Sequence, residues 1–592
     1  MIKYRAYTDI KVNGCGPTGS DILVVGESPG MDETILGEPF VGRAGEILNN
    51  CLSRNGIPRE TVRIENLCSI RPWNDRFENL FKTPFLQFGL KSIHEYILSY
   101  RPTVIAALGN YPMHYLTGKG KWAKGSIIGI GNWRGSILPY VDDQGIEHED
   151  IKVIPLYHPA AVARNKSLYP IFDADIKRVK EESKTRGLNY EERNIITNPP
   201  SLDLINEIDR ILSCEFVAID IESIKGTTII RTISFSTSPY HAVAIPISNN
   251  ERHISAILES KLKKIFHFGY FDVTMLKLNG FEVAQDEVSK EYDRLYFWDT
   301  YIASHILDPE MPHTLAFEVS MRTRMPYYKH EGKDESDTKG WSGKTPLDRL
   351  LAYNGKDTCG TFEAFQFQLE DFQHLNESSI NIFNFEMSAM GMQNHISDSG
   401  MLMDKDRADM MKGAMIARWA RLQYLLDGVA GMEVNVKSIK LKDWLYSKDK
   451  DGGLGLPSRS FQKKVTTNDD ALVSLLAWCK DKVDESVRDD TKSKYRVRYN
   501  IIRAIREIRN IRQRYSMYME ARLSEDGRSR SSYKYGPDTG RWAAQKYVDG
   551  TGYNHQTNPR DPIEVPDEDF EKYKSDTRFT ADIEREVEDG EE

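Results

Sequence analysis

Phe216-Val-Ala-Ile-Asp220-Ile-Glu222 is a short apolar, β-branched run that ends on two acids and lies between Ser213 and Ser223. Its composition predicts a strand buried on both faces. Every second side chain of a strand shares a face, so Asp220 and Glu222 fall on the same side. Two like charges at that spacing repel unless a cation lies between them, and an all-oxygen pair suits Mg²⁺ or Mn²⁺. Taken alone, the pair also fits a strand ending in solvated acids.

Three further pieces favour a metal site. His267-Phe-Gly-Tyr-Phe271-Asp272 places a third acid after the short strand Lys264-Ile-Phe and before a helical stretch beginning at Val273. Tyr353-Asn-Gly-Lys-Asp357 sets a phenol four residues before a fourth acid, and on a helix that spacing puts both on one face. Four carboxylates and a tyrosine could hold two divalent ions, the arrangement that clamps both oxygens of an in-line phosphodiester hydrolysis. The order Asp-x-Glu, Asp, Tyr-x3-Asp resembles the DEDDy 3′-5′ exonucleases, specifically the proofreading domain of family A DNA polymerases. That resemblance implies a ribonuclease H-like domain over residues 201–375. In it Asp220, Glu222 and Asp357 would bind one Mg²⁺ or Mn²⁺, Asp272 a second, and Tyr353 would orient the attacking water. His267 stands where many such enzymes carry Asn, and it is expected to contact the DNA strand. Trp298-Asp299-Thr300 and His305-Ile-Leu-Asp308-Pro309 extend the match. The charged, glycine-containing insertion Lys329 to Lys344 reads as a mobile surface loop near the DNA path.

At 592 residues the chain is too long for a single core. Mean hydropathy is −0.52 and no apolar run approaches 18 residues, which argues against a membrane span. Met1-Ile-Lys-Tyr-Arg has no signal-peptide character, and six cysteines without a CxxC pair fit reduced thiols in a cytoplasm. The net charge of −9 is unevenly spread: residues 561–592 hold 14 acids against 4 bases, so the first 560 residues are near +1. Residues 488–534 hold 14 Lys or Arg against 6 acids, a candidate phosphate-facing surface.

In the first 186 residues, strand-like runs such as Asp21-Ile-Leu-Val-Val25, Val62-Arg-Ile64 and Thr103-Val-Ile-Ala-Ala-Leu108 alternate with helical stretches. The alternation predicts an α/β/α sandwich with a largely parallel sheet and ligand-binding loops along one edge. Those loops read Gly26-Glu-Ser-Pro-Gly30, Pro39-Phe-Val-Gly42, Ile64-Glu-Asn66, Arg71-Pro72 and His158-Pro159. Together they resemble the uracil-DNA glycosylase superfamily, its family 4 above all. The resemblance implies that Phe40 stacks on a flipped base, Asn66 reads its edge, Glu27 positions water and His158 stabilises charge developing on the base. Family 4 members usually carry four cysteines for an iron-sulfur cluster, one directly before the Arg-Pro pair. Ile70 stands there in this chain, with Cys68 two residues earlier and Cys15 alone near the N-terminus, so no cluster is expected. The family's second Asn, after Arg-Pro, is matched by Asp75, with Asn74 adjacent.

Residues 187–200, polar and ending in Asn198-Pro-Pro200, read as a linker. Beyond residue 376 the pattern turns helical, and Ile501, Ile502, Ile505, Ile508 and Ile511 form an apolar stripe flanked by arginines that include Arg512 and Arg514. Gly400-Met-Leu-Met-Asp404 and Thr539-Gly-Arg541 with Gly552-Tyr-Asn554-x-Gln556 resemble the thumb and palm entry of family A polymerases. On that resemblance residues 376–560 form a mainly helical, truncated polymerase region whose Arg512, Arg514, Arg541, Asn554 and Gln556 touch DNA. The tail 561–592 would be acidic and without order.

The whole is thus expected to be a multidomain α/β protein similar to the N-terminal portion of a phage family A polymerase. It would act on DNA as a 3′-5′ exonuclease in the cytoplasm of an infected bacterium, with palm and fingers on a separate polypeptide. The rival readings are a DNA-binding assembly subunit without catalysis and a uracil-DNA glycosylase repair enzyme.

Overall fold

The computed structural model describes residues 10–331, 341, 345–448, 452–461, 464–534 and 542–557. Arg541 and the acidic tail therefore lie outside the described residues. The chain forms two compact units, one running to Asn394 and the other beginning at His395. Among the described residues no helix is long and apolar enough to cross a membrane.

The first unit contains two sheets. In the first, β1 (Ile22–Gly26), β2 (Arg63–Asn66), β3 (Val104–Leu108), β4 (Leu138–Val141) and β5 (Glu147–Leu156) stand in the order β2-β1-β3-β5-β4. Only β4 runs antiparallel to its neighbour. β1 and β3 are buried at every position, as the predicted sandwich requires. Helices α1 (Arg43–Arg54), α2 (Ile130–Trp133), α3 (Pro159–Arg164) and α4 (Tyr169–Glu182) flank the sheet and its ligand edge.

The second sheet has six strands: β6 (Asn194–Thr197), β7 (Phe216–Ser223), β8 (Ile230–Ser238), β9 (His241–Pro246), β10 (Lys263–Phe266) and β11 (Trp298–Asp299). Their order is β11-β10-β7-β8-β9-β6. β7 is the predicted acid-bearing strand, held antiparallel to β8 and parallel to β10. α5 (Tyr270–Leu278) follows β10, and the long α6 (Leu347–Phe372) lies across the sheet. Contacts between α6 and β8 are polar and buried: Ser234 Oγ donates to Asn354 O (2.8 Å) and Thr232 Oγ1 to Asn354 Oδ1 (3.1 Å).

The sequence reading needs correction at the expected linker. Asn194–Thr197 is not a free tether; it pairs in parallel with β9 as the edge strand of the second sheet. Its Ile195 packs so closely under α6 that a Cβ on Gly355 would come within 2.3 Å of Ile195 Cγ2. The two expected domains also share a buried seam. Arg134 is 2% and Asp175 1% exposed, and Arg134 donates from Nε to Asp175 Oδ2 (3.0 Å) and from Nη1 to Ser320 Oγ (2.9 Å). Arg178 adds a bond to Met321 O (2.8 Å).

In the second unit α7 (Lys405–Ala430), α8 (Asp469–Glu485) and α9 (Asp489–Arg514) enclose a core in which Ile501, Ile502, Ile505, Ile508 and Ile511 are all buried. Asp404 caps α7, accepting from the Arg407 N–H at 3.0 Å. The flanking arginines, expected to face DNA, are largely tied into the fold. Arg506 binds Asp469 (2.7 and 2.9 Å), Arg509 donates to Val436 O (2.7 Å), and Arg512 lies 4.7 Å from the Trp419 ring centre. Arg514 follows at the end of α9. Gln556, expected to touch primer or template, instead accepts from Ala544 N–H (2.8 Å) and donates to Trp542 O (2.9 Å). Asn554 Oδ1 accepts from the Gln556 N–H at 2.9 Å. The acceptors that Arg506 and Arg509 find come from segments remote in sequence, so a count of arginines could not show them engaged.

Candidate active site and base pocket

The strand and helix periods act together at the acid cluster. Asp220 and Glu222 emerge on the same face of β7, and the first turns of α6 bring Asp357 beside them, so carboxylate oxygens of the three lie within 4.8 Å of one another. Asp272, at the start of α5, accepts the backbone N–H of Ile221, the residue between the other two strand acids, at 3.1 Å. Asn354 fixes Asp220 with a bond from Nδ2 to Oδ2 of 2.6 Å. Tyr353 is buried one helical turn before Asp357.

Burial and mutual repulsion dominate the electrostatics. The carboxyl of Asp220 is raised well above the ordinary range by burial and by Asp357 and Glu222. Glu222 is raised to about 8 by burial and Asp357, and Asp272 to about 8 by burial despite the opposing Ile221 N–H. The Tyr353 phenol is pushed far upward by burial and the same acids, so it keeps its proton at neutral pH. Carboxylates converging this closely fit divalent cations, whose binding would relieve the repulsion. His267 is expected at the DNA strand. Here its Nδ1 lies 2.9 Å from Thr300 Oγ1, and burial lowers it to about 3, so the ring is neutral.

The insertion departs from the sequence reading. Two of its described residues, Lys329 and Trp341, reach the acid site, where a mobile surface loop was expected. Lys329 Nζ lies 2.5 Å from Asp357 Oδ2, and the hydroxyl of the preceding Tyr328 donates to Asp357 Oδ1. Trp341 is buried, 5.0 Å ring to ring from Tyr353, and hydrogen bonds Glu222. The charged, glycine-containing composition of the stretch hid these contacts. The aromatic residues Tyr327, Tyr328 and Trp341 at its ends were the available sign of burial.

A second site opens at the ligand edge of the first sheet. Glu27, Phe40, Asn66, Gly109, His158 and Arg164 line a cavity of about 450 Å³. Phe40 holds a left-handed φ of 54°, and its backbone comes so near α1 that a Cβ on Gly45 would lie 1.8 Å from Phe40 O. A non-glycine residue in that region marks a locally strained turn, of the kind concentrated at binding sites. Its ring lies 5.9 Å from that of His158. His158 Nδ1 accepts the Ala160 N–H (3.1 Å), and burial with Arg164 lowers the imidazole to about 4. The neutral ring therefore carries its proton on Nε2 and can donate it. Glu27 is pushed up to about 8 by burial and Glu78.

Residues 14–183 match the uracil DNA glycosylase superfamily. Over 185 residues the chain is 34% identical to the type-4 uracil-DNA glycosylase of Saccharolobus solfataricus, covering 30% of this chain and 79% of that protein. The type-4 enzyme of Archaeoglobus fulgidus is 33% identical (29% and 80% covered), and that of Thermotoga maritima 34% (30% and 84%). The chain belongs to the uracil-DNA glycosylase superfamily. Residues 200–370 match a 3′-5′ exonuclease family. Among solved structures, the POL domain of Pol1 from M. smegmatis, in complex with DNA primer-template and dNTP, is similar at a TM-score of 0.43 and 15% identity. That similarity covers 62% of this chain and 56% of the other.

Within the glycosylase-superfamily domain Cys15 and Cys51 share one hydrophobic cluster and Cys68 belongs to another. Cys68 is fully buried in a hydrophobic cluster against which Ile70 packs, while part-buried Cys15 bridges to Ile64 and receives a contact from Arg59. The loop after Arg71-Pro72 is closed by a two-pronged Arg71–Asp75 pair (2.6 and 2.9 Å), with Asn74 and Asp75 both left-handed. Asp75 reaches the cavity rim.

Proposed function

We propose that this chain is the proofreading part of a phage-type family A DNA polymerase, a DEDDy exonuclease that removes nucleotides from DNA 3′ ends inside an infected bacterial cell. The observation that carries this reading is the convergence of Asp220, Glu222 and Asp357 to within 4.8 Å, with Tyr353 one turn from Asp357. In this reading Asp220, Glu222 and Asp357 would hold one divalent cation and Asp272 would serve a second. Bound there, such ions supply charge neutralisation and a water of lowered pKa. Tyr353, protonated, donates a hydrogen bond that orients the attacking water, and cannot itself act as the base at neutral pH. Asn354 holds the Asp220 carboxylate in register, and buried Trp341 helps to exclude bulk water. The experiment is release of 3′-labelled nucleotides in Mg²⁺ by wild type and by Asp220→Ala. Full activity in the variant removes the proposed site, and no release by the wild type leaves a DNA-binding assembly subunit without catalysis as the better account.

A second activity is supported by the pocket of the first domain, lined by Glu27, Phe40, Asn66 and His158. Asn66 would read a flipped base against Phe40, with neutral His158 donating from Nε2 to the oxygen on which charge develops. Position 70, where the related enzymes would need a thiolate, offers only the hydrocarbon of Ile70, so this reading includes no iron-sulfur cluster. It requires alkali-sensitive sites at uracil without added metal, lost in Asn66→Ala. Intact uracil-containing strands with wild-type protein would reduce the domain to a base-sensing module.

A further inference from the structure

Asp357 enters the acid cluster with both oxygens already engaged: Tyr328 donates to Oδ1 and the Lys329 ammonium to Oδ2 at 2.5 Å. The Lys329 side chain is 20% exposed, and its Nζ also lies 4.9 Å from the centre of the Tyr353 ring. The segment that delivers it is seated on the glycosylase-superfamily domain. Tyr327 N–H donates to Ser136 Oγ (3.1 Å), and the Trp133 ring packs at 5.2 Å on Tyr327 and 5.1 Å on His330. Lys329 is thus held from both sides, at the carboxylate through its ammonium and at the backbone through its neighbours.

We propose that Lys329 is a tethered counter-cation of the exonuclease site, occupying the Asp357 oxygen that a divalent ion needs, so that ion entry displaces it. This rests on the metal-site reading given above. An ammonium against a buried carboxylate is a charge-assisted bond, and an aqueous ion must outcompete it as well as shed its own water. A latch closed in nine molecules of ten raises the apparent dissociation constant about tenfold. Because the seat is built by Trp133 and Ser136, the first domain sets how strongly the nuclease demands its metal.

The test is Mn²⁺ binding to the full chain without DNA, followed by titration calorimetry and by the spin resonance of free Mn²⁺. Lys329→Gln, which removes the charge and keeps most of the length, is expected to bind Mn²⁺ about tenfold more tightly than wild type, and Lys329→Arg to stay near wild type. Trp133→Ala loosens the seat without touching the acids and should shift binding in the same direction by about threefold. Equal or weaker binding by both Lys329→Gln and Trp133→Ala overturns the latch. Wild type that binds no more Mn²⁺ than Asp220→Asn overturns the metal site itself, a different result from loss of the latch alone.

Discussion

Glu27 and His158 face one cavity, and burial drives both toward their neutral forms, the acid up to about 8 and the imidazole down to about 4. A pocket that binds an uncharged base edge gains from neutral walls, which cost less to desolvate than ions. For Glu27 the sign follows from its raised folded-state value. The folded protein keeps a proton that the unfolded chain releases near 4.5, so the stability tied to it is complete below that pH and is lost as pH rises through about 8. Glu27→Gln keeps the neutral shape throughout. We expect the variant and wild type to melt alike at pH 5, and the variant to melt about 3 °C higher at pH 9, measured by differential scanning fluorimetry. An unchanged gap between the two pH values would show that Glu27 ionises freely. The pocket residues were legible because short loop motifs fix both identity and spacing. Lys329 was not, because its partner Asp357 lies 28 positions away, beyond a stretch whose composition suggests solvent.

At the scale of elements, period was the reliable signal. Alternation on β7 placed Asp220 and Glu222 together, and the four-residue spacing on α6 placed Tyr353 beside Asp357, because both follow from backbone geometry alone. The isoleucine stripe of α9 was likewise readable as core. What period cannot report is where a polar side chain ends, and so Gln556, expected at DNA, is found engaged by Ala544 and Trp542. The strand Asn194–Thr197 escaped for a related reason: four residues with two isoleucines carry too little pattern to outweigh polar flanks. Its importance is testable at Gly355. A methyl group there meets Ile195 at 2.3 Å, so Gly355→Ala must push β6 and α6 apart. We expect a loss of about 1–3 kcal/mol in urea denaturation, and a partial return when Ile195→Ala is added, because that change removes the Cγ2 methyl that the new Cβ meets.

For the molecule as a whole, the seam through Arg134 and Asp175 determines how the first two domains behave. Both side chains are almost fully buried, and removing one strands the other's charge. Arg134→Ala should therefore cost about 3–5 kcal/mol, and the loss should appear in both domains within a single unfolding transition followed by tryptophan fluorescence and circular dichroism. Two separated transitions in the wild-type protein would show that the domains fold independently despite the seam. The same feature bears on inheritance. A front domain whose Ser136 and Trp133 seat Tyr327 and His330, on either side of the Lys329 that meets Asp357, is poorly suited to exchange by recombination at the intervening segment. Lineages that keep the nuclease should then keep its companion's contact residues even where the base pocket has decayed, and a transplanted front domain would work only if the stretch from Phe317 to His330 travelled with it.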